Sequence, residues 1–232
     1  MNAIVRYTQD FISLFFPRLC AACATSLVNN EGVVCTHCLY QFPYTNFHLQ
    51  DDNPVARQFW GRLNFGWAGA FVYFNQKSAV QRAIHQLKYN NKREVGTFLG
   101  SLYAEQLTEL LREHPADVIV PVPLAVSRQR KRGYNQSECI ARGMATVLHL
   151  PVDTLSLKRM KLTDTQTRKG RFSRLANMNE AFVATAGPSL EGKSILIVDD
   201  VITTGATIES CALALQEIPG VKISIAALAY VR

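Results

Sequence analysis

The pattern of apolar and polar positions divides the 232 residues into alternating strands and helices. Ala68 to Phe74, the run DVIVPVP with its two prolines, Ala181 to Ala184, Ser194 to Val198 and Lys222 to Tyr230 read as strands. Helical spacing runs from Ala79 to Tyr89, through Val80, Ala83, Ile84 and Leu87, and again from Val95 to Leu111. It returns from Ser137 to Leu148, with Asn135 or Ser137 as cap, and from Ala206 to Gln216. Strands separated by helices predict an α/β fold, a mostly parallel sheet with helices on both faces. The stretch LAVSRQRKRGYNQ reads as a basic loop, and residues 156–178 as a polar, basic segment. Residues 46–66 show no clear period and read as a linker with at most a short helix.

Composition sharpens this picture. Apolar residues make up 48% of the chain, with no low-complexity tract, so a globular protein with a substantial core is expected. No stretch approaches the roughly 18–20 apolar residues of a membrane helix. The opening MNAIVRYTQDFISLFF is interrupted by Arg6, Gln9 and Asp10, and no small-residue cleavage site follows. It reads as a helix ended by Pro17, and the chain as cytoplasmic, with no membrane span. The net charge of +7 is unevenly spread: the window Pro121 to Arg174 holds 12 Lys/Arg against 3 acids. Such a window predicts an anion-binding surface, although a merely solvated basic face has the same composition.

Cys20-x2-Cys23 and Cys35-x2-Cys38 stand eleven residues apart. Each turn offers two thiolates, and two turns complete a tetrahedron, so Cys20, Cys23, Cys35 and Cys38 are expected to hold a structural Zn²⁺. Disulfides do not suit a cytoplasmic chain. Cys139 and Cys211 lie in helical patterns and read as inert buried thiols. A second motif misleads. GPSLEGKS, Gly187 to Ser194, matches the phosphate-loop expression of ATPases, but that loop must follow a strand and open a helix, and Ser194 opens the strand ILIV instead.

The chemistry concentrates in ILIVDDVITTGAT, Ile195 to Thr207. In a parallel sheet, ligands bind beyond the carboxyl ends of the strands, where Asp199 and Asp200 are placed. Adjacent carboxylates can accept hydrogen bonds from a vicinal diol such as the 2′ and 3′ hydroxyls of a ribose. Thr203, Thr204, Gly205, Ala206 and Thr207 lead into a helix whose N–H groups and hydroxyls can wrap a phosphate.

VDDVITTGAT resembles the signature of type I phosphoribosyltransferases, which bind 5-phosphoribosyl 1-pyrophosphate (PRPP). The four cysteines, IHQLKY at Ile84 to Tyr89, PVPL, RGYNQ at Arg132 to Gln136, TDTQT at Thr163 to Thr167 and AF at Ala181-Phe182 follow in order. Together they resemble the ComF family, linked to competence and DNA uptake. The resemblance implies a type I phosphoribosyltransferase fold with an N-terminal zinc ribbon, divided into residues 1–45 (helix and cysteine module), 46–115 (linker and hood-like region) and 116–232 (core). It implies that Asp199 and Asp200 hold the ribose and Thr203 to Thr207 the 5′-phosphate. Arg128, Arg130, Arg132, Gly133, Asn135 and Gln136 take the place of the pyrophosphate loop. Arg159, Thr163, Gln166, Arg174 and Asn177 fall in the flexible loop, and Mg²⁺ arrives on PRPP. The run RKGRFSR departs from the family's pattern there.

Two functions follow as expectations. One is phosphoribosyl transfer from PRPP to an unidentified nitrogen acceptor, with release of pyrophosphate. The other is a non-catalytic accessory protein of DNA uptake that binds PRPP or single-stranded DNA and meets competence proteins. No residue of the sequence stands out as a general base.

Overall fold

The computed structural model describes residues 17–161, 180–185 and 190–232. Its strands are β1 (Ala68–Tyr73), β2 (Val118–Pro121), β3 (Leu157–Lys161), β4 (Glu180–Ala184), β5 (Ser194–Ile202) and β6 (Lys222–Tyr230). Four of them form a parallel sheet in the order β1-β6-β5-β2, while β3 and β4 pair antiparallel as a separate ribbon. The helices are α1 (Thr36–Tyr40), α2 (Pro54–Arg57), α3 (Ala79–Tyr89), α4 (Arg93–Leu107), α5 (Leu110–Glu113), α6 (Val126–Arg132), α7 (Gln136–Leu148) and α8 (Ala206–Gln216).

The continuous apolar run of β5 is explained by burial on both faces. Leu196 and Val198 join Ala226, Leu228 and Ile119 in a core covered by α3, α4 and α7. Ile195 and Ile197 join Val118, Val120, Ile225 and Ala227 in a second core, covered by α2 and α8. From Ile195 to Val198 the period-2 alternation thus sends successive residues to opposite layers. The sheet and its helices on both faces match the fold read from the sequence.

α4 and α7 touch backbone to backbone. A Cβ on Gly143 would overlap the Thr97 carbonyl, and one on Gly100 the Ile140 carbonyl. Ser101 Oγ donates to Gly143 O at 3.1 Å across the crossing. Gly143→Ala is expected to destabilise by at least about 2 kcal/mol, since close-packed helices must part to admit the methyl. A thermal melt matching the native one would remove that reading.

Several expectations change in detail. The basic stretch after PVP is not a loop throughout: Val126–Arg132 is helical and ends at Gly133, φ 77°. The long helix from Val95 to Leu111 breaks into α4 and α5. β5 runs through Asp199 and Asp200 to Ile202, so both carboxylates stand on the strand. α7 is capped by Asn135, whose side chain accepts from Ser137 N at 3.1 Å. Nor does the sheet respect a boundary at residue 115, because β1 pairs with β6 and α3 and α4 cover the same core as α7. Residues 46–66 are fastened by Asn53, which is fully buried. Its side chain accepts from Val55 N and Ala56 N and donates to Ala68 O at 2.9 Å. The helix expected before Pro17 lies outside the described residues.

Candidate functional site

The carboxyl end of β5 carries the acidic pair. Asp199 pairs in register with Ala227, and its Oδ1 accepts from Ser137 Oγ at 2.9 Å and from Asp200 N at 2.8 Å. Burial, and the Asp200 carboxylate beside it, push Asp199 up to about 7. Asp200 meets Lys88 of α3, with Nζ 2.9 Å from Oδ2. A partly buried carboxylate without that cation would carry a desolvation cost.

Just beyond, the chain turns at Gly205, φ 74°, and enters α8. A glycine is required there twice over. The angle is strained for any residue with a Cβ, and that Cβ would sit 2.9 Å from the Phe59 ring. Asp199 and residues 201–208 enclose about 40 Å³ of open space. The first N–H groups of α8 have no partner within the helix and favour an anion at this end. Gln58 Nε2 donates to Thr203 O at 2.8 Å, which pins the approach to the turn. Arg62 neutralises Glu209 in the first turn of α8, Nη1 to Oε2 at 2.7 Å.

The basic turn divides its residues between two tasks. Asn135 caps α7 and donates to Val122 O at 2.9 Å. Gln136 is buried, and its Oε1 accepts from Arg132 Nη1 at 2.9 Å. The Tyr134 hydroxyl donates to Leu87 O, and Arg93 lies over its ring at 4.7 Å. These side chains build the turn. Arg128, Arg130 and Lys131 are exposed on α6 and make no ion pair among the described residues. Arg159, on β3, stands over the Phe182 ring at 5.1 Å. Thr163, Gln166, Arg174 and Asn177 lie outside the described residues.

The four cysteines converge: their Sγ atoms all lie within 4.8 Å of one another. A tetrahedron with metal–sulfur bonds of about 2.3 Å has edges of about 3.8 Å, so four thiolates fit a metal ion with little movement. Cys20 Sγ already accepts from Ala22 N at 3.4 Å and Cys35 N at 3.3 Å. The Thr25 hydroxyl, 3.3 Å from Cys23 Sγ, and the Thr25 backbone draw Cys23 down to about 6, while burial raises Cys35 and Cys38. Cys139 and Cys211 are buried, as expected of packed thiols, and burial raises both.

Sequence reasoning missed three contributors. Lys88 lies within IHQLKY, a segment matched without a role. Ser137 reads only as a cap, and nothing local marks Gln58.

A parallel sheet ending in neighbouring carboxylates, with a glycine-turned cradle opening the next helix, fits the class that the family comparison gives: the type I phosphoribosyltransferase fold. The phosphoribosyl transferase domain model matches residues 100–232. The DNA utilization protein YhgH of Escherichia coli K12 is 28% identical over 84% of this chain and 82% of its own length. Competence protein F of Haemophilus influenzae is 27% identical over 93% of this chain and 98% of its own. A purine phosphoribosyltransferase from Pyrococcus horikoshii superposes with a TM-score of 0.37 over 57% of this chain and 74% of that one, at 23% identity. The chain belongs to the phosphoribosyltransferase family and is of the ComF type. Among the described residues, no helix is long and apolar enough to cross a membrane.

Proposed function

We propose that this protein binds Mg²⁺-loaded PRPP at the end of β5 and transfers its phosphoribosyl group to a nitrogen acceptor, in a cytoplasmic process of DNA uptake. The observation that carries the reading is the Asp199–Asp200 pair standing beside the Gly205 cradle. The two carboxylates would accept the ribose hydroxyls, and Thr203 to Thr207 would hold the 5′-phosphate. Mg²⁺ would come on the ligand and would offset charge on its pyrophosphate. In transfer the C1–oxygen bond to pyrophosphate breaks and a C1–nitrogen bond forms. Arg128, Arg130 and Arg132 would stabilise the leaving pyrophosphate. Zn²⁺ is proposed for the cysteine cluster, on the softness of four thiolates. The names of the two relatives, competence and DNA utilization, support the link to DNA uptake and to competence proteins as partners.

A second reading has its own support. The exposed cations of α6 suit nucleic-acid phosphates as well as pyrophosphate, and a non-catalytic accessory role with PRPP or single-stranded DNA follows from them. Calorimetric titration with PRPP, with and without Mg²⁺, tests the site, and a pyrophosphate-release assay separates the two readings. Saturable, Mg²⁺-dependent binding is expected. It should strengthen from pH 6 to 8, because Asp199 loses its proton near 7 and only then offers a full carboxylate to the diol. Absence of binding at millimolar PRPP would overturn the reading.

A further inference from the structure

The last turn of α3 joins the two halves of the candidate site. On one side it is locked to the basic turn: Leu87 O accepts from the Tyr134 hydroxyl, and the Arg132 guanidinium lies 5.3 Å from the centre of the Tyr89 ring. On the other side Lys88 reaches Asp200, with the two side chains only 20% and 16% exposed. A lysine at a helix end ordinarily extends into water. This one is committed to a carboxylate at the open end of the sheet.

We propose that Lys88 is a positioning residue of the acidic pair: its ammonium holds Asp200 in place and ties the pair, through α3, to the basic turn. The carboxylates and the basic turn are then one preorganised unit, which lowers the ordering cost of binding a ligand that carries both a diol and a pyrophosphate. The identity of that ligand rests on the reading above, whereas the positioning itself rests on the Lys88 contact.

The groups facing the pair decide what Lys88 does electrically. Ser137 bonds to Asp199 from α7, and the buried Cys211 of α8 feels the charges of Asp199 and of Arg159 on β3. Among the described residues, Lys88 of α3 is a cation that opposes the repulsion between the two carboxylates and draws Asp199 down. Without it, the pair keeps its mutual repulsion and Asp199 must hold its proton to higher pH.

The test begins on the ligand-free protein, with ¹³C-labelled aspartate followed by NMR across a pH titration. In Lys88→Met the Asp199 midpoint should rise by up to about one unit, equivalent to a tenfold change in proton affinity. Lys88→Arg should leave it near the native value, and Lys88→Gln, which keeps a polar stem, serves as a second neutral variant. Calorimetry at pH 7 should then show Mg²⁺-loaded PRPP bound about tenfold more weakly by Lys88→Met, with most of the loss recovered by Lys88→Arg. An unmoved Asp199 midpoint in folded Lys88→Met and Lys88→Gln overturns the proposal. A midpoint that moves in a protein whose native form binds no PRPP leaves Lys88 its role and removes only the ligand.

Discussion

Asp200→Ala should abolish measurable binding of Mg²⁺-loaded PRPP, with a loss of at least about a hundredfold. Hydrogen bonds to a charged acceptor contribute about 1.5–3 kcal/mol each, and every 1.4 kcal/mol is tenfold in affinity. The substitution removes the acceptor and also strands the Lys88 ammonium that now lies 2.9 Å from it. It frees Asp199 as well. With the neighbouring charge gone, one of the two causes that raise Asp199 disappears, so its carboxyl should titrate below the native value of about 7. Asp200→Asn separates shape from charge and should bind nearly as poorly. Any binding of single-stranded DNA should survive both changes, since a carboxylate repels phosphates. Equal loss of PRPP and DNA would show a single shared surface, and the division between acidic pair and basic helix would fall.

Cys38→Ser should be the most damaging change to the fold outside the sheet. Cys20, Cys35 and Cys38 are buried together with Ala21, Ala22 and Val34 in the same core as Val80, Ala83 and Ile84 of α3. The Arg82 guanidinium donates to Ala22 O, so α3 also grips the first knuckle directly. A four-thiolate site contributes its metal-binding energy to folding, and three ligands hold the ion far less tightly. The expected result is loss of the Zn²⁺ proposed for the cluster and a destabilisation above about 3 kcal/mol, read by metal analysis and thermal melting. A chelator should reproduce it in the native protein. Retention of the native melting temperature after zinc removal would show that the ribbon is held by its apolar contacts alone.

The parallel sheet was legible because its strands are buried on both faces or bounded by proline, and the four long helices α3, α4, α7 and α8 each bury an apolar stripe. α3, α8 and β6 occupy the residues their patterns predicted. The parts that escaped reading depend on partners remote in sequence. Residues 46–66 have no period of their own, because their order comes from a buried asparagine bridging to β1 and from scattered apolar anchors, Phe47, Val55 and Phe59, in the second core. The helical form of Val126–Arg132 was masked by its charge, which reads equally as loop. At the site, the acids and the cradle announce themselves within ten residues. Lys88 does not, because its meaning comes from a carboxylate more than a hundred positions away. Asn135 and Gln136 show the converse: polar residues in a basic turn read as ligand contacts, and their side chains also hold the turn itself.

The placement of the two aspartates on a strand has a mechanical consequence. Strict alternation would send neighbouring strand residues to opposite sides of a sheet, but it slips at this rim: Val198 and Val201 both pack in the α3 layer. Asp199 is held by Ser137 of α7 and Asp200 by Lys88 of α3, so both answer to one layer, whereas the cradle that follows opens α8 in the other. The sheet keeps the two layers apart along most of its length, and at its open rim Asp199 and the cradle line a common space. A sugar phosphate held by the carboxylates and the cradle would therefore act as a staple across that rim. It would couple α3 and the cysteine ribbon on one side to α8 on the other, so that occupancy at one small site becomes rigidity in two separate cores.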